Sequence, residues 1–239
     1  SEIAKKINDI LKDTDVNKSD ELQKASAEIG KIVTRSEIPE EIIKNVRVSY
    51  GKLSGRFRKA LVAVRSSATA EDLPGASFAG QQATFLNISG DANLLTAIRE
   101  CWASLFTARA IFYRVQNKID HTKVKISVII QKMVQSEVSG VMFTVDPVSN
   151  NKDQIIIESV WGLGEMIVQG SVVPDTYVVQ KESFWILSKE ISDQRVQLSK
   201  KGDKTFETEV PGSLRSKQKL SDEEIVKLAK IGNALQKHY

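Results

Sequence analysis

The sequence predicts an α+β or mixed α/β fold, with helices flanking a strand-rich middle, and three observations carry that reading. Residues 1–59 place apolar side chains at helical spacing among charges, residues 61–187 hold short strand-like runs, and residues 220–239 open with a helix-capping pattern. At 239 residues the chain is long enough for one large domain or two small ones. With 41% hydrophobic and 27% charged residues, 5 prolines and 13 glycines, it falls outside the collagen-like, mucin-like and low-complexity classes. No window offers the roughly eighteen uncharged apolar residues of a membrane span. The charged start, Ser1-Glu2-Ile3-Ala4-Lys5-Lys6, is unlike a secretory signal, and the single cysteine, Cys101, suits a reducing compartment, so a cytoplasmic location is expected.

In the first helical stretch Ile3, Ile7, Ile10 and Leu11 recur on one face, followed by Leu22, Ala25, Ile29 and Ile32. Ser19 with Asp20 reads as an N-cap and first turn, and Pro39 with Glu40 and Glu41 as another helix start. Leu61-Val62-Ala63-Val64 reads as a buried strand ending at Arg65. A loop from 66 to 82 leads into a strand over 83–88, and Ser89-Gly90-Asp91 turns the chain. One long amphipathic helix is expected next, with Leu94, Ile98, Trp102, Leu105 and Phe112 near one face. Strand signals then cover 124–134 and 138–145, joined as a hairpin by Gln135-Ser136-Glu137, and 155–161, 176–180 and 184–187. Ser221 and Glu224 form the S-x-x-E capping box of a last helix. The expected organisation is a helical part over 1–60, a loop and long-helix part over 61–130 and a second part over 131–239.

The net charge is +4. It is carried by the flanks: residues 1–60 hold 13 basic and 10 acidic groups and residues 181–239 hold 12 and 9, whereas 61–120 hold 5 and 5 and 121–180 hold 4 and 6. No basic stripe is interleaved with aromatics, so neither a nucleic-acid partner nor a membrane partner is expected.

The segment Arg65-Ser66-Ser67-Ala68-Thr69-Ala70-Glu71-Asp72-Leu73-Pro74-Gly75-Ala76-Ser77-Phe78-Ala79-Gly80-Gln81-Gln82 is small, hydroxyl-rich and bracketed by glycines. Such a loop turns backbone N–H groups toward an anion, and an arginine beside it adds a bidentate clamp; a plain surface loop with turn residues is the other reading. Gly75 and Gly80 have P-loop spacing, but Gln81 stands where a lysine is needed and a strand follows, so a Walker site is excluded. Gly162-Leu163-Gly164 begins like a dinucleotide fingerprint, but Ile167 occupies the third glycine position. His121 and His238 lie in no metal or nucleophile spacing and read as surface residues. Glu71 and Asp72 read as solvated, so no metal ligand is assigned, and Cys101 reads as a small buried hydrophobe.

Six ordered blocks within residues 62–181 carry a resemblance. They are the run from Val62-Ala63-Val64-Arg65 through Glu71-Asp72-Leu73-Pro74, Ser77-Phe78-Ala79-Gly80-Gln81-Gln82, Ser104-Leu105-Phe106-Thr107, Gln131-Lys132-Met133-Val134, Ser139-Gly140-Val141-Met142-Phe143-Thr144 and Trp161-Gly162-Leu163-Gly164-Glu165. Together they resemble the N-terminal ATP-binding region of the phosphoenolpyruvate synthase (pyruvate, water dikinase) family. The resemblance implies an ATP-grasp-like nucleotide-binding fold, incomplete here, with a mixed or antiparallel sheet. By the same likeness Arg65 matches the catalytic arginine that grips the ATP phosphates, and Gly80 and Thr84 match loop positions over the triphosphate. Gln131 matches the adenine-pocket residue, with Met133 and Val134 backbone groups at the adenine edge.

The likeness also implies ATP and Mg2+ as ligands and pyruvate as acceptor. Phosphoryl transfer would run through a histidine on a swivelling phosphohistidine domain that serves a pyruvate-binding barrel, giving phosphoenolpyruvate, AMP and phosphate, a gluconeogenic reaction. Against the family pattern, an upstream glycine-rich segment with a lysine, a downstream acidic motif and those two further domains are not represented, so the sequence is expected to be an internal piece of a larger enzyme and inactive alone. A rifampicin phosphotransferase-like domain and a non-catalytic nucleotide-binding module are the alternatives.

Overall fold

The computed structural model describes residues 2–55, 59–68, 83–121, 123–202 and 204–239, and the chain divides into two compact units, Ser1–Met133 and Val134–Tyr239. The first unit runs α1 (Glu2–Lys12), α2 (Ser19–Arg35), α3 (Glu40–Leu53), β1 (Val62–Ala68), β2 (Thr84–Ile88), α4 (Asp91–Ala103), α5 (Ala108–Gln116) and β3 (Ile126–Lys132). Its sheet has the order β2-β1-β3, with both pairings antiparallel. Period-2 alternation turns Val62 and Val64, both fully buried, toward Leu94, Ala97, Ile98 and Cys101 of α4, with Phe85, Ile88, Val128 and Ile130 packed alongside. Each fully buried aliphatic side chain of this kind contributes about 1.5–3 kcal/mol. Tyr50 of α3 ties the layers: its hydroxyl donates to Ala60 O at 2.6 Å and accepts from Gly90 N at 3.0 Å.

Five local expectations are revised. Val33 joins Leu22, Ala25 and Ile29 on the buried stripe of α2 in place of Ile32, and Ser19 is the first helical residue, with Lys18 at the cap position and no side-chain cap bond. The expected single helix after residue 91 is broken: α4 ends at Ala103, a 3-10 turn covers Ser104–Phe106, and Thr107 restarts α5 by accepting Ala110 N at 3.3 Å. The strand carrying Arg65 does not end there but continues to Ala68, because β3 pairs with it over seven consecutive positions from Val62↔Lys132 to Ala68↔Ile126. The hairpin expected across 135–137 is absent: β3 pairs with β1, and the next strand pairs inside the second unit. The connection there passes from one unit to the other.

The second unit contains β4 (Val138–Phe143), β5 (Gln154–Trp161), α6 (Glu165–Val168), β6 (Asp175–Gln180), β7 (Ile186–Glu190), β8 (Val196–Lys201), β9 (Lys204–Glu209) and α7 (Asp222–His238). An antiparallel sheet of order β4-β5-β6-β7 lays Ile155, Ile157, Tyr177 and Val179 against Ile225 and Ala229 of α7. The capping box at Ser221 and Glu224 forms as the sequence predicts. The β8-β9 hairpin, whose strands mix lysines, glutamates and threonines, was not legible as strand in the sequence. Asp175 and Lys219 form an ion pair whose side chains are both 0% exposed, joining the start of β6 to the segment before α7.

His121 is half-buried, not a plain surface residue. Its Nδ1 accepts Arg114 Nε at 2.8 Å, while the buried Arg114 guanidinium lies 5.4 Å from the centre of the Phe106 ring. Burial, and then the neighbouring Arg114 cation, push the imidazole down to about 4. The folded chain therefore refuses a proton that the unfolded chain takes up near pH 6.5, so this contribution to stability is complete above pH 6.5 and is lost as the pH falls toward 4. In thermal unfolding between pH 7 and 5, His121→Asn, which keeps an acceptor near the Nδ1 position, is expected to show a shallower decline than the parent chain. Parallel pH profiles would contradict this reading.

Candidate functional site

The antiparallel register decides which side chains of the first unit share a face. Arg65 of β1 stands directly opposite Thr84 of β2 on one side and Ile129 of β3 on the other, and Ala63 stands opposite Gln131. Residues opposite one another in a ladder point to the same side, so Arg65, Thr84, Ile129 and Gln131 lie on the face turned away from the Val62–Val64 core. All four are exposed. With strands about 4.8 Å apart and alternate residues about 6.7 Å apart, Thr84, Arg65 and Ile129 make one row across the sheet, and Gln131 begins the next.

A bulge shapes the edge of this face. Val62 pairs with Ile88 and Val64 with Phe85, so β2 spends three residues where β1 spends two, and Asn87 takes the slack at φ +55°. The bulge turns both Phe85 and Ile88 to the core while leaving Thr84 beside Arg65. Ser66 clamps the same corner: its N–H and hydroxyl both donate to Ala83 O, at 3.2 and 3.0 Å. No carboxylate among the described residues pairs with Arg65.

The structure thus brings three of the sequence-derived site residues, Arg65, Thr84 and Gln131, onto one surface. Arg65 sits in mid-strand on the central strand of the sheet and not at a strand end. Met133 N–H donates to Leu61 O at 2.9 Å, so that backbone group is already used by the sheet, and Val134, 72% exposed, is the first residue of the second unit. Gly80, and with it Glu71 and Asp72, lies outside the described residues. Among the described residues no group of three or more His, Cys, Asp or Glu side chains is placed to hold a metal ion.

Two sequence features find structural explanations. Gly162 has φ +84°, and a Cβ there would stand 2.4 Å from Leu198 O, so its glycine is required by the close approach of β8. The neighbouring Leu163 N–H donates to that same carbonyl at 2.9 Å. Cys101 is fully buried, and burial pushes its thiol up to about 12, which makes it a packing residue and not a nucleophile.

A second basic feature of the first unit escaped sequence reasoning. Arg47, Lys59 and Arg99 line a cavity of about 620 Å3 at the start of α4, where Asp91 lies 3.6 Å from Arg47 and 3.9 Å from Lys59. The three cations come from α3, the segment before β1 and α4, so no linear motif announces them.

Comparison with known proteins supplies a context for the open face. A family model described as the pyruvate phosphate dikinase, AMP/ATP-binding domain matches residues 1–239, including both flanks of the motif blocks. The chain is 51% identical over 233 residues to a probable phosphoenolpyruvate synthase of Methanothermobacter thermautotrophicus, covering 97% of this chain and 34% of that relative. It is 49% identical over 238 residues to a probable phosphoenolpyruvate synthase of Methanocaldococcus jannaschii, covering 98% and 20%. To the phosphoenolpyruvate synthase of Pyrococcus furiosus it is 45% identical over 242 residues, covering 98% and 30%. The chain therefore spans about a third or less of the length of these relatives. No helix among the described residues is long and apolar enough to cross a membrane.

Proposed function

Because the chain belongs to the family of pyruvate phosphate dikinase AMP/ATP-binding domains, we propose that it is the ATP-binding part of a phosphoenolpyruvate synthase and that its nucleotide lies on the open face of the β2-β1-β3 sheet. The observation that carries the placement is the register: it gathers an arginine with no carboxylate partner among the described residues, a threonine hydroxyl and a glutamine amide on one solvent-facing surface. A guanidinium offers a planar fork of donors suited to phosphate oxygens, and the hydroxyl and amide add neutral hydrogen bonds that discriminate by geometry and not by charge. The names of the relatives favour the synthase over an antibiotic-modifying phosphotransferase.

In the full reaction one phosphoryl group of ATP would pass to a histidine on a swivelling domain and then to the enol oxygen of pyruvate, with water taking up the other, so that ATP, pyruvate and water give phosphoenolpyruvate, AMP and phosphate. An ATP-grasp-like nucleotide-binding fold and a cytoplasmic setting belong to the same proposal. Arg65 would hold the phosphate chain and neutralise the charge that spreads over the transferring oxygens, so the chain's own contribution is positioning and electrostatic stabilisation. Met133 and Val134, at the end of β3, are the backbone groups proposed to border the base, through atoms other than the Met133 N–H. Gly80 is proposed to close over the triphosphate. Mg2+ accompanies ATP in this reading, but the four side chains of the open face include no carboxylate, so they supply no negatively charged ligand to the metal.

With one cation among the described residues of this face, ATP affinity of the 239-residue chain is expected to be low, with a dissociation constant on the order of 1 mM, equivalent to about 4 kcal/mol. Calorimetric titration with ATP measures it directly. No binding at tens of millimolar would contradict the proposed function, and micromolar binding would show that the clamp is stronger than Arg65 and its neighbours account for.

A further inference from the structure

Around the start of α4 the first unit gathers more positive charge than it neutralises. Arg47, Lys59 and Arg99 line a cavity of about 620 Å3 in which Asp91 is the one carboxylate among the described lining residues. Asp91 lies 3.6 Å from Arg47 Nε and 3.9 Å from Lys59 Nζ, beyond hydrogen-bond reach of both. The Arg99 Nε is buried and has no hydrogen-bond partner, and a buried donor left in that state costs stability until something meets it. The helix adds donors of its own. Gly90, at φ +84°, stands at the N-cap with no side chain to cap the first turn, and its own N–H goes to the Tyr50 hydroxyl. The N–H groups of Asp91, Ala92 and Asn93 therefore have no acceptor within the helix. A Cβ on Gly90 would stand 3.8 Å from Lys59 Nζ, so that ammonium lies over the helix start. Arg99 follows Ala92 two turns along the same helix face, and helical side chains lean toward the N-terminus, which brings its fork back toward the same space.

We propose that this cavity is a second anion site, separate from the open face that carries Arg65, and that it takes a small phosphate monoester. Three cations against one carboxylate leave a surplus of two positive charges, which matches a dianion. Two guanidinium forks and a set of helix N–H groups suit the oxygens of a tetrahedral phosphate. No aromatic side chain is among the described lining residues, so the cavity gives a nucleobase no ring to stack on and reads the anion itself. Its volume falls within the usual range of small-molecule pockets and leaves room for a small organic group on the phosphate. Asp91 is then a weak internal stand-in, loosely paired with Arg47 and Lys59, that an incoming dianion displaces. The site is distinct from the nucleotide face by position: α4 packs on the Val62–Val64 side of the sheet, and Arg65 stands on the other.

The test is an NMR titration of the isotopically labelled 239-residue chain, at fixed ionic strength, with inorganic phosphate, with glycerol 3-phosphate and with acetate. The expected result is a saturable shift of the Gly90–Asn93 amides and of the Arg99 Nε–H with both phosphates, the monoester binding at least as tightly as phosphate, and no saturable shift with acetate. Arg99→Gln is expected to weaken phosphate binding about tenfold. Asp91→Asn, which removes the internal competitor, is expected to tighten it about threefold, and Arg65→Ala to leave it unchanged. An absence of saturable shifts at tens of millimolar phosphate, equal shifts with acetate, or loss of the shifts in Arg65→Ala would overturn the site. Binding of phosphate without the monoester would overturn the ligand class. If Arg99→Gln lowers the melting temperature while the folded chain binds phosphate as the parent does, Arg99 is a packing residue and the inference fails. Arg99→Gln and Asp91→Asn leave Arg65, Thr84 and Gln131 in place, so these outcomes leave the nucleotide face to its own test.

Discussion

Replacing Arg65 with alanine is expected to lower the turnover of the full-length enzyme about 100-fold or more while raising the Michaelis constant for ATP far less. That is the loss typical of removing one donor that acts on developing charge. The structure sharpens this expectation, because Arg65 is exposed on the central strand and the core behind it is made by Val62 and Val64. Truncating its side chain removes no core packing, so the melting temperature should move little. Arg65→Lys should recover little activity, since an ammonium cannot reproduce the bidentate fork. A variant with near-normal turnover and a lowered melting point would remove Arg65 from the reaction and make it a packing residue.

The largest stability effect is expected at the Asp175–Lys219 pair. Both side chains are 0% exposed, and every oxygen of the carboxylate is engaged. Oδ1 accepts Lys219 Nζ at 2.5 Å, Ser192 N at 2.9 Å and Ser192 Oγ at 3.3 Å; Oδ2 accepts the Tyr177 hydroxyl at 2.8 Å and Lys219 N at 3.0 Å. Removing the carboxylate leaves a buried ammonium with no counter-ion, held only by Ser192 O at 3.3 Å and Ser192 Oγ at 3.2 Å, and strips the Ser192 and Lys219 backbone N–H groups of their acceptor. Asp175→Ala is expected to cost about 3–5 kcal/mol, whereas replacing both members with apolar residues of similar volume should restore much of it. Denaturant unfolding monitored on Asp175→Ala and on the apolar double variant reads this out. A cost below about 1 kcal/mol for Asp175→Ala would mean that water or a local shift reaches Lys219 and that the pair is not the pin described.

Elements whose own periodicity dictates burial could be read from sequence. The Val62–Val64 run, β5 and the capped α7 all present an unbroken pattern, and local physics and tertiary packing agree there. The failures have tertiary causes. Apolar spacing continues through Ser104–Phe106, so nothing periodic marks the break that the Thr107 hydroxyl makes by capping a new helix. A short link between two apolar strands reads as a hairpin, but strand partners are chosen by cross-strand packing at a distance, and β3 finds β1 some sixty residues earlier. The β8-β9 strands alternate among charged and polar residues and carry little hydrophobic signal.

At the site, residue types and motif order picked out Arg65, Thr84 and Gln131, but not their relation. The sequence places them across nearly seventy positions, and only the register shows that they share a face. His121 looked solvated because its partner, Arg114, lies seven residues away on a helix whose end it folds back upon.

The central claim is that nucleotide lies on the open face of the β2-β1-β3 sheet, and backbone amide chemical-shift mapping of the isotopically labelled chain during titration with ATP tests it most directly. The account predicts the largest shifts at residues 63–67, at Thr84 and along 127–134, with the same set lost in Arg65→Ala. Shifts confined instead to the cavity lined by Arg47, Lys59 and Arg99 at the start of α4 would contradict it.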